Sequence, residues 1–301
     1  MLRWVKKIKK TLNITMTTQA QHLKMLTSVQ KWNLWRKANP NLLPELRGVD
    51  LSYRNLDGIN FKGVNLREAN LRGASLNNAN CAGANFHRAD LTKVTMKDAE
   101  LHKASLSDAN LYQAVFNGSD LSQATICNSN LTEAQMSGCY FIKTDLTDSK
   151  LNQADLRQSY FTEAVLVGTK FIEANLTQVD LSNVNAKSAQ FTGANLTGVT
   201  IEDWIIDENT QMDSVFCDHF YPQLHEKIDL NSGNVNAFDS FVMNDKERDN
   251  LSQDEVVNSF PNSNVSGANG LNNIRQTDNY FEVAIKRSQE IWNTSHKPVN
   301  L

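Results

Sequence analysis

Cysteine occurs 4 times and proline 5 times in 301 residues, and aromatic residues make up only 8%. So few cysteines exclude a disulfide scaffold, and no C-x-x-C pair or Cys/His spacing marks a zinc site. No apolar run approaches the roughly 18 residues that a membrane span needs. The net charge of −3 lacks the basic excess of a typical nucleic-acid binder. A P-loop, G-x-G-x-x-G, H-E-x-x-H and G-x-S-x-G are all missing, so no catalytic residue, cofactor or metal site is expected. Proline is absent between residues 45 and 221, which points to a long stretch whose backbone N–H groups are nearly all engaged.

What fills that stretch is a period of five. From Leu46 to Ile201 every fifth residue is apolar, 32 times in succession. Two residues before most of these centres the chain is small: Ala69, Ala74, Ala79, Ala84 and Ala89, with Ser119, Cys139, Thr144 and Thr169 as later variants. One residue before is usually Asn or Asp. Five matches neither the 3.6 of a helix nor the 2.0 of a strand, so the chain must turn once per pentapeptide. Four pentapeptides then make a four-sided coil of 20 residues with centre and small residue pointing inward, and eight coils rise about 38 Å. All ten glycines within the repeat, from Gly48 to Gly198, sit two residues after a centre, where a turn requires positive φ. Residues 20 apart should stack: Asn60 on Asn80, Asn65 on Asn85, Asn110 on Asn130, Asn175 on Asn195, Phe141 on Phe161 and Phe171 on Phe191.

The segments "ANLRG", "ADLTK", "ANLYQ", "ADLRQ" and "ANLTG" resemble the A(D/N)LXX motif of the pentapeptide-repeat family, loosely its cyanobacterial members. The resemblance implies an all-β solenoid, a right-handed quadrilateral β-helix, over about half the chain. In that family the surface binds proteins, and one branch mimics DNA and protects or inhibits DNA gyrase. The motif is broken at Val115, Tyr140, Lys150, Tyr160, Val165 and Lys170, and the centre is undersized at Ala186.

A stack of coils leaves its interior and strand edges open at both ends. Leu23, Leu26, Val29 and Trp32 recur every three residues, and Asn39-Pro40 stops the pattern; this predicts a helix over 18–38 within an N-terminal capping segment at 18–45. After 46–201, residues 202–221 read as an irregular C-terminal cap in which Ile206 and Phe216 keep near phase, Gln211 loses it, and Trp204, Ile205, Met212 and Val215 contribute apolar groups. Residues 222–276, rich in Asn, Ser and Asp, read as a disordered linker; 277–293 as a possible amphipathic helix through Tyr280, Ala284, Ile291 and Trp292; and 294–301 as a tail. At the start, 1–17 is a basic tail. Trp4, Ile8 and Leu12 beside Lys6, Lys7, Lys9 and Lys10 suit a weak membrane-surface contact through residues 1–14; the plainer readings are a disordered tail, or an over-extended start with Met16 as initiator.

These features point to a non-enzymatic, cytoplasmic interaction scaffold or regulatory adaptor with a protein partner. The alternatives are a DNA-mimic modulator of topoisomerase and a small enzyme or ligand-binding protein. Mimicry requires negative charge spaced along the rod. Instead residues 1–105 sum to +11 and residues 106–301 to −14, with 46–105 at +3 and 106–201 at −4. His87 and His102 and the dispersed carboxylates read as solvated surface groups. The outward positions turn apolar at Tyr140 and Tyr160, which should stack on one side with Ile142 beside them, at Val165 and Val167 round the next corner and at Ile172 beyond; together these form the candidate protein-contact patch.

Overall fold

The computed structural model describes residues 19–223 and 226–229. Each pentapeptide makes three backbone hydrogen bonds to the next coil, one of them from the turn residue, as Gly48 N–H to Arg67 O (2.8 Å). The N–H of Leu46 donates to the Asn65 carbonyl (2.8 Å), and the N–H of Asn65 donates back to Pro44 (2.9 Å). The pattern recurs as parallel bridges between residues 20 apart, from Glu45↔Asn65 to Asp180↔Thr200, and includes all four Asn pairs named above. A solenoid of parallel coils follows.

Each corner is a tight turn closed from the residue three beyond the centre, as in Ala74 N–H to Leu71 O (2.9 Å). Its third residue has positive φ, which glycine adopts without cost. Every fifth residue from 48 to 203 lies at φ between 50° and 75°, the ten glycines and 22 others including Lys93, Gln123 and Glu163. The left-handed conformation costs a non-glycine residue about 1 kcal/mol, so the ladder and the packed centre must hold these positions. The Asn or Asp before the centre helps. Its side-chain oxygen accepts the N–H two residues on, as Asn60 does from Lys62 (3.1 Å) and Asp120 from Ser122 (2.9 Å), so the donor left free by the turn is satisfied.

The core is a column along the axis. Phe141 and Phe161 stack at 4.5 Å and Phe171 and Phe191 at 5.1 Å, as the 20-residue spacing predicts. Ala186, the undersized centre, is fully buried.

The predicted 18–38 helix is broken. Residues 19–25 (α1) are helical, and Val29–Ala38 (α2) restarts after Ser28, whose side chain accepts the Lys31 N–H. Ser, an N-capping residue, ends the continuity that the three-residue apolar spacing suggested. Side chains of α2 occupy backbone groups on the open edge of the first coil. Trp32 Nε1 donates to Asn60 O (2.7 Å), and Arg36 donates to Lys62 O (2.6 Å). Asn33 donates to Gly58 O (2.9 Å) and accepts from Asn60 N (2.8 Å), acting as a peptide group would. The Trp32 ring meets Phe61 edge-on at 5.6 Å.

At the other end the phase shifts by one residue instead of being lost. Bridges pass from Asn185↔Ile205 to Gln190↔Gln211 and Asn195↔Phe216, a step of 21. One extra residue sits at the corner held by Asp207, which accepts from Ser188 N (2.8 Å), Thr210 Oγ1 (3.1 Å) and Asn209 N (3.2 Å). Met212 and Cys217 are therefore buried centres, while Ile205 and Phe216, read above as apolar contributors to the last coil, are partly exposed. His219–Gln223 (β1) pairs antiparallel with Glu226–Asp229 (β2). This hairpin enters the segment expected to be disordered from 222, because Tyr221 N–H still bonds Val199 O and carries the chain off the last coil already extended. The readings of 1–17, of 277–293 and of 294–301 lie outside the described residues.

A tyrosine groove as candidate protein-contact surface

Outward side chains also line up in columns along the axis. One column runs Asn60, Asn80, Glu100, Asp120, Tyr140, Tyr160, Asp180, Thr200. Because Tyr140 and Tyr160 occupy successive coils, their rings stack at 5.1 Å and 8°, and they remain 43% and 44% exposed. Beside them lies an open groove of about 500 Å³ lined by Gly138, Tyr140, Gln158, Tyr160 and Gln178. Gly138 leaves open space where a side chain would stand. Gln158 Nε2 donates to Gln178 Oε1 (3.0 Å), forming an amide ladder along the wall.

Of the six candidate positions, Tyr140 and Tyr160 share one bridge column and Val165 belongs to the next; Ile142, Val167 and Ile172 are turn residues whose carbonyls accept the N–H groups of Gln123, Asp148 and Gln153. Ile142, Val165, Val167 and Ile172 are each half-buried. Across the opposite corner, the tyrosines join Gln158 and Gln178, which the sequence reading missed. The available signal was positional: Gln158 falls two residues before Tyr160, where the turn brings it to the same corner. On another side, Glu133 accepts from Gln113 Nε2 (2.6 Å) and from the Tyr112 hydroxyl (2.9 Å); these bonds, Gln113's first, hold its carboxyl below the usual range, and the bond to Glu133 pushes the Tyr112 phenol up.

Charges are dispersed and often paired. Arg47 meets Glu68 at 2.9 Å, Arg157 meets Asp155 at 2.7 Å, and Lys143 meets Glu163 at 3.2 Å. The Arg157 guanidinium holds the Asp155 carboxyl below the ordinary carboxylate range. Within 46–201 no outward column carries acids on three successive coils; Glu100 and Asp120 make the longest run. His87 and His102 face Asp108 (3.5 Å) and Asp120 (3.9 Å). Cys81, Cys139 and Cys217 are buried free thiols and Cys127 is half-buried. Among the described residues no group of three or more His, Cys, Asp or Glu could hold a metal ion, and no helix is long and apolar enough to cross a membrane.

Two protein-family models match the chain. Pentapeptide repeats (8 copies) matches residues 45–80, 69–108, 79–118 and 104–141, and Pentapeptide repeat region matches 134–210. Together they run without a gap over more than half of the sequence. The chain belongs to the pentapeptide-repeat family. Its repeats therefore wind as a right-handed β-helix. Similar solved structures include HetL, a pentapeptide-repeat protein involved in heterocyst differentiation regulation in the cyanobacterium Nostoc sp. strain PCC 7120, at 22% identity over 63% of this chain and 96% of that one, with a TM-score of 0.24. Rfr23 from the cyanobacterium Cyanothece 51142 is 22% identical over 60% and 97%, with a TM-score of 0.25. Full-length QnrB1, a plasmid-mediated fluoroquinolone resistance protein, is 16% identical over 58% and 93%, with a TM-score of 0.28. None of these scores reaches 0.5, and none bears on what this chain binds. Comparison with curated proteins returns no match.

Proposed function

We propose that this pentapeptide-repeat protein is a non-enzymatic interaction scaffold or regulatory adaptor, and that it engages a protein partner through the side centred on Tyr140 and Tyr160. The observation that carries this is the stacked, half-exposed tyrosine pair beside an open groove. Tyrosine offers a large, rigid contact area with a polar tip, and it is enriched at interface positions whose truncation costs most. The rod of eight regular coils serves as the rigid support, α1 and α2 close its first edge, and the shifted coil at 202–221 closes its last. Four free thiols agree with a reducing, cytoplasmic setting. The DNA-mimic alternative is disfavoured because no acidic column extends beyond two coils.

The test is affinity capture from the source cells with the full chain and with Tyr140→Asp/Tyr160→Asp. Loss of about 2 kcal/mol at such a site weakens binding about thirtyfold, enough to remove a partner from the eluate. Unchanged partners and an unchanged oligomeric state would sink the proposal. Recovery of topoisomerase subunits, with inhibition of supercoiling by the purified protein, would replace it with the alternative.

A further inference from the structure

We infer that the groove takes an extended, arginine-bearing segment of the partner protein, with guanidinium groups on the outer faces of the tyrosine pair. This rests on the reading of the groove as a protein contact. With the rings at 8°, each tyrosine turns one face to its neighbour and the other along the axis, where the column continues with Asp120 on one side and Asp180 on the other. A planar cation on either outer face would meet a π-surface and a carboxylate together. Asp180 accepts from Ser182 N (2.9 Å), Ser182 Oγ (2.6 Å) and Thr162 Oγ1 (3.0 Å), which fixes its carboxylate and leaves lone pairs for a fourth donor. Asp120 accepts from Ser122 N (2.9 Å) and faces His102 at 3.9 Å.

The charge carried by the tyrosine column itself is acidic, from Glu100, Asp120 and Asp180. None of its five lining residues is cationic, and the flanking Arg157 and Lys143 are engaged by Asp155 and Glu163. Arginine fits better than lysine because its flat guanidinium stacks on a ring and still forks to a carboxylate. The Gln158–Gln178 ladder leaves the Gln158 carbonyl oxygen and the Gln178 amide hydrogens to meet the backbone of an extended chain. Two cations on the outer faces of rings 5.1 Å apart, each about 3.5 Å from its ring, stand about 12 Å from one another. In an extended chain at about 3.3 Å per residue, side chains on one face reach that separation four residues apart. The spacing selects Arg-x-x-x-Arg.

The probe is a fluorescein-labelled peptide, GRGSGRG, titrated with the full-length protein by anisotropy at 0.15 M salt. Saturable binding is expected, at least fivefold weaker for GKGSGKG and at least tenfold weaker for both Tyr140→Ala/Tyr160→Ala and Asp120→Asn/Asp180→Asn. Lys150→Ala, on another side of the rod, should bind as the parent does. Circular dichroism melts identify any variant that has failed to fold; for such a variant, Tyr140→Phe/Tyr160→Phe, which keeps the rings, should bind within twofold of the parent. No saturable binding by the parent, equal affinity for the two peptides, or unchanged affinity in the carboxamide variant would overturn the inference. If Asp120→Asn/Asp180→Asn keeps every captured partner while Tyr140→Asp/Tyr160→Asp loses them, the groove is a contact but its occupant is not basic. If neither changes the capture, the contact reading itself falls.

Discussion

The two halves of the solenoid interior solve the same packing problem with different chemistry. From Val64 to Ala114 the small inward position holds only alanine or valine. From Ser119 to Thr169 it is Ser, Thr or Cys in seven of eleven places, all buried. Each of those seven donates to the carbonyl of the centre 23 residues earlier, as Thr144 does to Leu121 (2.7 Å) and Thr169 to Leu146 (2.9 Å). A carbonyl has two lone pairs and in five of the seven cases the turn uses one, while Ser119 and Ser149 take the turn N–H themselves, so a side chain of near-alanine size finds partners without leaving the core. The positional rule is therefore one of volume, and polarity is admitted wherever an acceptor lies within reach. The Phe141–Phe161 pair and the outer Tyr140–Tyr160 pair fall in this second half too.

The sharpest break between the halves is aromatic. Phe161 sits between Phe141, stacked at 4.5 Å, and Phe171, edge-on at 6.4 Å. Phe161→Ala should lower stability by about 3–5 kcal/mol in urea unfolding. Cys81→Ala, in the same inward column of the alanine-lined half, should cost only about 1 kcal/mol. Equal losses would mean that stability is pooled along the rod and not held locally.

Alkaline pH tests what the halves share. Cys81 and Cys139 are buried, one in each half, and Cys217 follows in the last coil. Burial pushes all three thiols up, Cys139 to about 12 from an ordinary value of 9.0. The folded chain then keeps protons that the unfolded chain releases, so this stability is complete below about pH 9 and is lost as pH rises from 9 toward 12. The loss is about 1.4 kcal/mol per thiol per pH unit above 9. Thermal melts from pH 8 to 11 should fall more steeply for the parent than for Cys139→Ala. Parallel curves would show that the thiol ionises in place.

The period of five exposes the fold because an apolar centre recurs without exception, nearly always with a small partner two residues before it, and the same turn leaves its imprint on glycine and proline as well. Where one residue was inserted, at Asp207, the rule still held but its phase moved, so Phe216 was assigned an inward place that Cys217 occupies. The candidate surface was half legible. Tyr140 and Tyr160 follow from the spacing of 20, but their grouping depends on which corner each column borders, and sequence distance obscures this. Val165 is five residues from Tyr160 and around a corner, whereas Gln178 is eighteen away and lines the same groove.

The smallest effect probes whether the buried hydroxyls matter. Ser119 accepts the Ala99 N–H at 3.0 Å and donates to Met96 O, so it stands between two groups that elsewhere bond directly, as Ala104 N does to Leu101 O at 2.9 Å. In Ser119→Ala the Ala99 N–H can return to Met96 O, and the cost should stay under about 1 kcal/mol. Amide exchange at Ala99 would remain slow. Thr144 differs because Ala124 N already bonds Leu121 O at 3.0 Å, so Thr144→Val removes a second bond from a satisfied carbonyl and should be nearly neutral. A loss above about 2 kcal/mol in Ser119→Ala, with fast exchange at Ala99, would mean that the turn cannot close without the hydroxyl. The second half would then be a polar core in its own right and not a variant of the first.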